Sequence, residues 1–330
     1  GIRREDVFQV CVVGNTCMHH LFLGISPASL VHAPYTPAVS ERLVLNAGDY
    51  GLAVQERAEL IMLSDIAGYV GADTCGCLLA IRQDQQEEIS LMIDIGTNGE
   101  MVLGNRERMV TCSTAAGPAF EGAKIECGMR GAAGAVDHVK YEDGKWNYTT
   151  VGNKPAVGLC GSGLIDLVAG LLDAGMLDEN GVLRSGQEKQ GVFILVPPER
   201  GGNERGVYLT QKDLGEVQLA KAAIAAGIQM LMERLGITED DICSVYIAGA
   251  FGNYMDPVSA GKIGLLPATL VKKVKPVGNA AGEGAKIALV NEKEMLEMDE
   301  LVRKIEFVEL AASADFQDHF IDELGFETGE

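Results

Sequence analysis

The fold is decided by one stretch of the chain, Ser90-Leu91-Met92-Ile93-Asp94-Ile95-Gly96-Thr97-Asn98-Gly99-Glu100-Met101-Val102. Its first part is apolar apart from Asp94, which is typical of a buried strand. A polar turn with two glycines follows at residues 96–99, and a second apolar run begins after it. The stretch therefore predicts a strand, a glycine turn and a second strand, with an aspartate near the end of the first.

Such a turn has the residue types that bind phosphate. Gly96 and Gly99 would let backbone N–H groups turn towards an anion, and Thr97 and Asn98 would add side-chain donors. Asp94 would act catalytically by holding Mg2+ or its water, because Mg2+ prefers carboxylate oxygens and keeps several of its waters. The alternative that this stretch leaves open is an ordinary β-hairpin whose aspartate only caps the turn.

Composition and charge limit the class of protein. The chain has 330 residues, which is enough for two domains with hydrophobic cores. Its net charge of −20 argues against nucleic acid or an anionic membrane surface as the main partner. Since no apolar run is long enough to span a membrane and no signal peptide precedes the first strand, we expect a cytoplasmic protein.

The cysteines and histidines do not suggest a metal centre. The eight cysteines are scattered without a C-x-x-C pair or an iron–sulfur run, so we expect mostly reduced, buried thiols. His19 and His20 are adjacent on a predicted helix and therefore point in different directions. We expect both histidines to pack against the core rather than to bind a metal.

The rest of the chain is predicted to alternate strands, helices and turns. We expect a strand over residues 7–13, helices over 17–24, 212–235 and 292–304, one or two packed helices over 58–81, and strands over 243–248 and 305–310. Hairpins are predicted at Asp143-Gly144 and over residues 192–209. Three phenylalanines near the end of the chain are expected to be core anchors, Phe316, Phe320 and Phe326.

Further glycine-rich turns are candidates for a nucleotide site. The first follows a predicted strand and has the sequence Gly249-Ala250-Phe251-Gly252, where adenine and ribose could lie against bare backbone. The second is a strand-to-helix turn whose small residues suit helix packing at a hinge, Gly278, Asn279 and Gly282. Either turn is also compatible with ordinary close packing.

A third glycine-rich turn opens a predicted helix. Its residues Gly161, Ser162 and Gly163 could bind an anion at the helix N-terminus. They could equally allow a tight entry into the helix, and the sequence leaves both possibilities open.

Several stretches together resemble one protein family over nearly the whole chain: VVGNTCMHHLFLG, LMIDIGTNGEMVLG, CSTAAGPAFEGAKIECGMR, GLCGSGLID, YIAGAFGNYMD and VGNAAGEGAKIAL. The chain resembles the C-terminal, ATP-binding part of the reductive activators of corrinoid-dependent enzymes. This family belongs to the superfamily of acetate and sugar kinases, Hsp70 and actin, abbreviated ASKHA. The resemblance implies an α/β, actin-like ATPase (ribonuclease H-like) fold with two domains around a nucleotide cleft.

The resemblance also implies domain boundaries and residue roles. Residues 1–57 and 275–330 would be a remnant of the first domain, and residues 58–274 would form the second. Asp94 to Glu100 would be the second phosphate loop, and Gly249 to Gly252 the adenosine loop. The connecting or hinge segments would include Gly14, Asn15 and Thr16 and the turn from Gly278 to Gly284.

The function that the resemblance implies is ATP-dependent reductive activation. ATP and Mg2+ would drive the transfer of one electron from an iron–sulfur cluster to an inactive cob(II)alamin, which restores cob(I)alamin in the corrinoid protein of a methyltransferase system. The family's first phosphate loop and its N-terminal [2Fe-2S] domain have no counterpart in this sequence. We therefore expect a fragment of a longer protein, with an incomplete first domain and an uncovered strand edge that would favour self-association, for example as a homodimer.

Other functions remain open at this stage. A small-molecule kinase of the same superfamily would need a general base, and none stands out in the sequence. An activator of acyl-CoA dehydratases would share a [4Fe-4S] cluster across a dimer, which the cysteine pattern does not resemble. A docking scaffold that no longer binds nucleotide is the non-enzymatic alternative.

Overall fold

The computed structural model describes residues 1–184, 191–311 and 313–326, with Ala250 described by its backbone alone. A small sheet near the N-terminus contains β1 (Gln9–Val12), β2 (Leu43–Asn46) and β3 (Glu59–Met62) in the order β1-β3-β2. β1 runs parallel to β3, and β2 runs antiparallel to it. Helix α1 (Thr16–Leu23) follows β1, and α2 (Ala72–Ile81) follows β3.

The predicted hairpin opens the central sheet. Strands β4 (Ile89–Ile95), β5 (Gly99–Gly104) and β6 (Met109–Thr114) pair antiparallel in sequence order. Alternate residues of β4 face opposite sides: Leu91 and Ile93 belong to one core cluster, and Met92 belongs to another. The middle of the strand, Leu91 to Ile93, is therefore apolar at every position because both faces of the sheet are covered.

An insertion of strands and two helices follows β6. It contains the strands β7 (Ala135–Glu142), β8 (Lys145–Thr150), β9 (Gly158–Leu159), β10 (Val192–Val196) and β11 (Val207–Thr210) and the helices α3 (Gly161–Asp173) and α4 (Gln211–Leu235). The predicted hairpin at Asp143-Gly144 is confirmed, and both turn residues have positive φ angles of 51° and 73°. Such angles suit a tight turn between twisted strands. The predicted hairpin over residues 192–209 is confirmed as β10 paired with β11.

The last part of the described chain completes the central sheet and covers it. Its elements are β12 (Ile242–Ala248), α5 (Gly249–Gly252), α6 (Pro257–Lys262), β13 (Val274–Gly278), α7 (Ala280–Val290), α8 (Glu292–Val302), β14 (Glu306–Phe307) and α9 (Ala314–Asp322). The sheet order is β13-β12-β4-β5-β6-β14, and β12 is parallel to both β4 and β13. Phe326 is buried and Phe316 and Phe320 pack against the core, so the predicted anchors are confirmed.

Two sequence predictions of secondary structure were wrong in part. The region 58–81 was expected to be helical, but Glu59–Met62 is strand β3, and α2 begins only at Ala72. A short buried apolar run looks the same in a helix and in a strand, so its pairing with β1 decides the outcome. The strand predicted over 305–310 is reduced to Glu306–Phe307, which pairs with β6.

The pairing of the strands suggests a different domain boundary from the predicted ones. Strand β3 pairs with β1 in the small sheet, and β13 pairs with β12 in the central sheet. A division by sheets would therefore place the boundary between α2 and β4, whereas the sequence predicted boundaries after residues 57 and 274. The predicted domain division stays a prediction.

The outer strands of the small sheet, β1 and β2, each have an unpaired edge among the described residues. Phe8 beside β1 is 64% exposed, and the predicted uncovered edge of an incomplete domain stays a prediction. Within the described part of the chain, no helix combines the length and apolarity needed to cross a membrane.

Helices α2 and α7 cross at glycines and touch backbone to backbone. A Cβ atom built on Gly284 would lie 1.9 Å from the carbonyl oxygen of Gly76. A Cβ atom on Gly76 would lie 2.6 Å from the carbonyl oxygen of Ala281. Neither helix can therefore accept a larger residue at this contact without moving.

We predict that Gly284→Ala destabilises the fold by about 1–3 kcal/mol or more, because the new methyl group overlaps rigid backbone. The measurement is the free energy of unfolding from urea titration. The matched control is Gly215→Ala in α4, where an added Cβ meets no atom within 4 Å. We expect the control to gain about 0.4–1 kcal/mol from the less flexible unfolded chain. Equal free energies of unfolding for the two variants would contradict the close backbone contact between α2 and α7.

Candidate functional site

Three parallel strands end side by side and bring the predicted loops together. Asp94 of β4 is the register partner of Ala248 of β12, and Ala248 is in turn the register partner of Gly278 of β13. The turn at 96–99, the loop at 249–252 and the turn after Gly278 therefore line one edge of the central sheet. Such an edge, where parallel strands end, is the usual place for ligands in open α/β sheets.

Asp94 and Gly249 are in direct contact at this edge. A Cβ atom on Gly249 would lie 2.9 Å from Oδ1 of Asp94, and Gly249 has a φ of +85°. Only glycine satisfies both conditions without strain. The Sγ atom of Cys77 in α2 lies 4.0 Å from Oδ2 of Asp94 on the other side.

Three carboxylates act on one another here, and we call Asp73, Asp94 and Glu100 the carboxylate cluster. Burial raises the pKa of Asp94 to about 6, and the charge of Asp73 adds to the rise. Burial, together with the charges of Asp73 and Asp94, raises the pKa of Glu100 to about 8, although a hydrogen bond from Ser113 lowers it in part. Burial also raises the pKa of Asp73. The cluster thus holds protons more tightly than free carboxyl groups do.

The sequence analysis missed Asp73 as a candidate for the site. It lies in the first turn of α2, and its N–H donates to the carbonyl of Gly14 at 3.3 Å. The only local signal is an acidic residue near a helix start, which is common at helix N-termini. Its proximity to Asp94 arises from the packing of α2 against the central sheet.

In the turn predicted to bind phosphate, Gly96 to Gly99, which we call the phosphate loop, the structure shows a packing role for Gly99. Gly96 and Gly99 are not among the glycines with a positive φ, and the N–H of Gly96 donates to the carbonyl of Asn98 at 2.9 Å. A Cβ on Gly99 would lie 2.9 Å from Oγ1 of Thr114, so Gly99 is needed for close packing. Thr97 is exposed, and its hydroxyl donates to the carboxylate of Glu121 at 2.8 Å.

The carboxylate cluster fits a cation held through water. In the described ranges no three Asp, Glu, His or Cys side chains form a direct metal site. Carboxylates beside a solvent-accessible turn can still hold Mg2+ through its waters, which Mg2+ gives up reluctantly. The predicted role of Asp94 as a water-mediated Mg2+ ligand is compatible with this geometry.

The predicted adenosine loop, Gly249 to Gly252, coincides with α5 and packs against the insertion. The Phe251 ring stacks on Phe120 with the ring centres 5.7 Å apart. A Cβ on Gly252 would lie 2.4 Å from Cγ2 of Ile247, so the chain turns tightly after β12. The loop at 249–252 is therefore held in a fixed position beside Asp94.

A cavity of about 690 Å³ begins directly after this loop. It is lined by Asn253 and Tyr254, by residues of α3 and α6, and by β7. The buried carboxylate of Asp166 accepts from the N–H of Val139 at 3.2 Å and lies 3.1 Å from Nδ1 of His138. Burial raises the pKa of Asp166. No local sequence pattern indicated this pair, because α3 and β7 meet only in the folded protein.

The predicted hinge residues lie at the ends of helices α2 and α7. A Cβ on Gly71, at the start of α2, would lie 2.5 Å from the Cα of Asn15. The Thr16 hydroxyl donates to the carbonyl of Ala67 at 2.8 Å. In the second segment, the Asn279 side chain accepts from the N–H of Gly282 at 3.0 Å and caps α7. These contacts place both segments at the ends of α2 and α7, and the hinge role stays a prediction.

The turn at 161–163 is explained by packing. A Cβ on Gly161 would lie 2.0 Å from the carbonyl oxygen of Phe120, and one on Gly163 would lie 2.2 Å from that of Val136. The Ser162 hydroxyl points inward and donates to the carbonyl of Asp137 at 2.8 Å. The contacts support the tight helix entry, and anion binding there stays a prediction.

The histidines pack as expected. His19 Nδ1 lies 2.9 Å from Oδ2 of buried Asp65. His20 Nδ1 lies 2.7 Å from the carbonyl of Thr16, and its Nε2 accepts from the N–H of Ala38. All eight cysteines are free; Cys75, Cys77, Cys112 and Cys160 are buried, whereas Cys17 and Cys243 are exposed.

Comparison with known proteins agrees with this fold. Residues 1–86 match a family model described as the RACo middle region, and residues 88–330 match the C-terminal domain of RACo, the ASKHA domain. The protein thus has the actin-like fold of an ASKHA nucleotide-binding domain. The chain belongs to the RACo family. The two matched regions meet between α2 and β4.

Similar proteins include corrinoid activators. The corrinoid activation enzyme RamQ of Eubacterium limosum is 36% identical over 97% of this chain and 56% of its own length. A [Co(II) methylated amine-specific corrinoid protein] reductase of Methanosarcina barkeri is 29% identical over 84% of this chain and 54% of its own length. A solved structure of a reductive activator for corrinoid, iron-sulfur protein is 38% identical, with a TM-score of 0.91 over 98% of this chain and 53% of that one. The chain therefore spans about half the length of these relatives.

We predict that Glu100→Gln weakens the dependence of stability on pH. The raised pKa means that the folded state holds this proton more tightly than the unfolded chain does. Glu100 therefore lowers the free energy of unfolding as the pH rises from its ordinary pKa of 4.5 to about 8. At pH 8 the variant should exceed the wild type by at least about 1 kcal/mol, the equivalent of roughly one pKa unit.

The measurement is urea unfolding at pH 5 and at pH 8. The control variant is Glu107→Gln, which removes an exposed carboxylate between β5 and β6. A Glu100→Gln variant with the same pH slope as the wild type would contradict the described burial of this group.

Proposed function

We propose that this chain is the ATP-binding and partner-docking part of a corrinoid reductive activator. The observation that carries the proposal is the register of three strand ends, which unites Asp94, Gly249 and Gly278 at one edge of the sheet. The phosphates would lie against the turn at 96–99, and the adenosine against α5. Membership of the ASKHA superfamily supports nucleotide binding.

The residues of the chain would act mainly by positioning and by charge. Mg2+ would be held through water by the carboxylate cluster and would supply the positive charge that a triphosphate needs. Asp94 would orient either a water of that ion or the water that attacks the terminal phosphate. Thr97 would donate its hydroxyl to a phosphate oxygen. Gly249 would keep the backbone close enough for the nucleotide to reach Asp94.

The proposed reaction of the whole protein is reductive activation. The names of the relatives indicate that they activate or reduce corrinoid proteins. We infer that the whole protein reduces cob(II)alamin in the partner corrinoid protein to cob(I)alamin, with one electron that a [2Fe-2S] cluster would supply. The described residues of this chain do not fit a cluster, since its free cysteines are scattered and no three ligands converge. The cluster would therefore belong to another part of the protein.

ATP would drive this transfer through a change of conformation. A ligand shifts an equilibrium only by the difference in its affinity for the two states. We propose that ATP binds more tightly when the small sheet and the central sheet close around the cleft. The closed form would present a different docking surface to the corrinoid protein and would change the coordination of the cobalt, and thereby raise its potential.

We further propose that the protein is cytoplasmic and self-associates. Eight free cysteines suit a reducing compartment. The unpaired edge of β1 offers backbone groups to a second strand, for example in a homodimer. The charge of −20 disfavours nucleic acid and anionic membranes as partners.

We predict that Asp94→Asn abolishes ATP-driven activation in the full-length protein. The amide keeps the shape of the side chain but cannot hold Mg2+ or orient water as a carboxylate does. ATP hydrolysis and ATP-dependent formation of cob(I)alamin should fall on the order of 100-fold or more. The measurements are phosphate release and the visible spectrum of the corrinoid protein.

The matched control is Asp240→Asn, an exposed aspartate in the turn before β12, which should retain both activities. Normal ATP-stimulated reduction by Asp94→Asn would rule out the proposed role. Transfer of the terminal phosphate to a sugar or carboxylate acceptor, instead of to water, would favour the kinase alternative.

A further inference from the structure

A turn-rich segment after β6 lies across the phosphate loop, and we call residues 117–126 the crossing segment. The N–H of Gly117 donates to the carbonyl of Thr97 at 2.8 Å. The Thr97 hydroxyl donates to Oε1 of Glu121 at 2.8 Å. The same oxygen lies 3.6 Å from the place where a Cβ of Gly96 would stand. A carboxylate therefore rests on the turn where we propose that phosphate binds.

Glu121 is held there by its neighbours rather than reaching in from a free loop. The preceding residue, Phe120, is only 3% exposed, and its ring stacks on Phe251 of α5. The N–H of Glu121 donates to the carbonyl of Pro118 at 3.2 Å. The main chain at Phe120 also packs against Gly161, which leaves no room for a side chain. The crossing segment thus contacts the phosphate loop and the adenosine loop together.

The charge of Glu121 is not balanced within its own segment. Lys124 is the segment's one cation, and its Nζ pairs with Glu216 of α4 at 3.3 Å. The other acid of the segment, Glu126, accepts from the Tyr208 hydroxyl at 3.2 Å, away from the phosphate loop. A phosphate group at Thr97 would meet the Glu121 carboxylate at close range, and like charges at such a distance repel.

We propose that Glu121 is a specificity-determining residue of the nucleotide site. It accepts the Thr97 hydroxyl when no phosphate is bound, and a phosphate must displace it to take the same hydroxyl. This inference rests on the proposed nucleotide binding and adds a residue that sets its strength. Because the electrostatic repulsion grows with the charge of the ligand, Glu121 weakens the binding of a triphosphate more than that of a diphosphate.

Displacement of Glu121 would also change the packing of the residues next to it. Glu121 follows directly on Phe120, whose ring touches the adenosine loop through Phe251. The presence of a terminal phosphate would therefore change the packing between the insertion and α5. The crossing segment is in this way a part of the site that responds to the charge of the nucleotide.

The test is Glu121→Gln in the full-length protein. Glutamine keeps an oxygen that can accept from Thr97, so the turn is preserved while the charge is removed. Titration calorimetry with Mg2+ and a non-hydrolysable ATP analogue should show binding roughly tenfold tighter than in the wild type, equivalent to about 1.4 kcal/mol. The gain for ADP should be smaller, and both gains should shrink at high salt.

The matched control is Glu126→Gln, which removes the same charge from the same segment and should leave both affinities unchanged. If wild-type protein binds the nucleotides but Glu121→Gln binds them equally or more weakly, this inference is overturned and the proposed function stands. If the wild type binds neither nucleotide, the proposed function fails and this inference fails with it. A purely structural role of Glu121 would not produce a difference between triphosphate and diphosphate.

Discussion

The parallel pairing of β12 with β4 is the interaction on which the site depends. The two strands are separated by nearly half of the chain, yet Ala248 and Asp94 are register partners. Because both strands end at the same edge, their loops must meet there. A shift of one residue would turn Asp94 to the other face of the sheet. Both faces of β4 are packed in hydrophobic cores, so the core of the sheet positions the chemistry at its edge.

The carboxylate cluster places negative charge at this edge that a bound cation would balance. The charges that raise the pKa of Asp94 and Glu100 come from neighbouring carboxylates. A nucleotide would add further negative charge to the same place. The proposed binding of ATP is consistent with this environment only if the metal binds together with the nucleotide, as Mg2+ does. The protons held by the raised pKa values reduce the repulsion as long as the metal is absent.

The sequence predicts those parts of the site whose signals are local. Asp94 and the glycines at 96, 99 and 249 stand beside apolar runs that end in turns, and the turn chemistry is visible in a few residues. Asp73 and Glu121 reach the same edge through the packing of α2 and of the crossing segment, which no short pattern encodes. For the same reason Glu59–Met62 was expected to be helical, since only its pairing with β1 makes it a strand. Local chemistry was predictable, and tertiary assembly was not.

The glycine crossing of α2 and α7 limits how the site can open. Gly76 and Gly284 bring two backbones into contact, so the helices cannot approach further. α2 carries Asp73, and α7 begins two residues after Gly278, so each helix leads to one side of the site. A rotation about the contact would change the distance between Asp73 and Asp94 while keeping the helices packed. Such a rotation would link nucleotide charge at the carboxylate cluster to relative motion of the two sheets, as the proposed action of ATP on a docking surface requires.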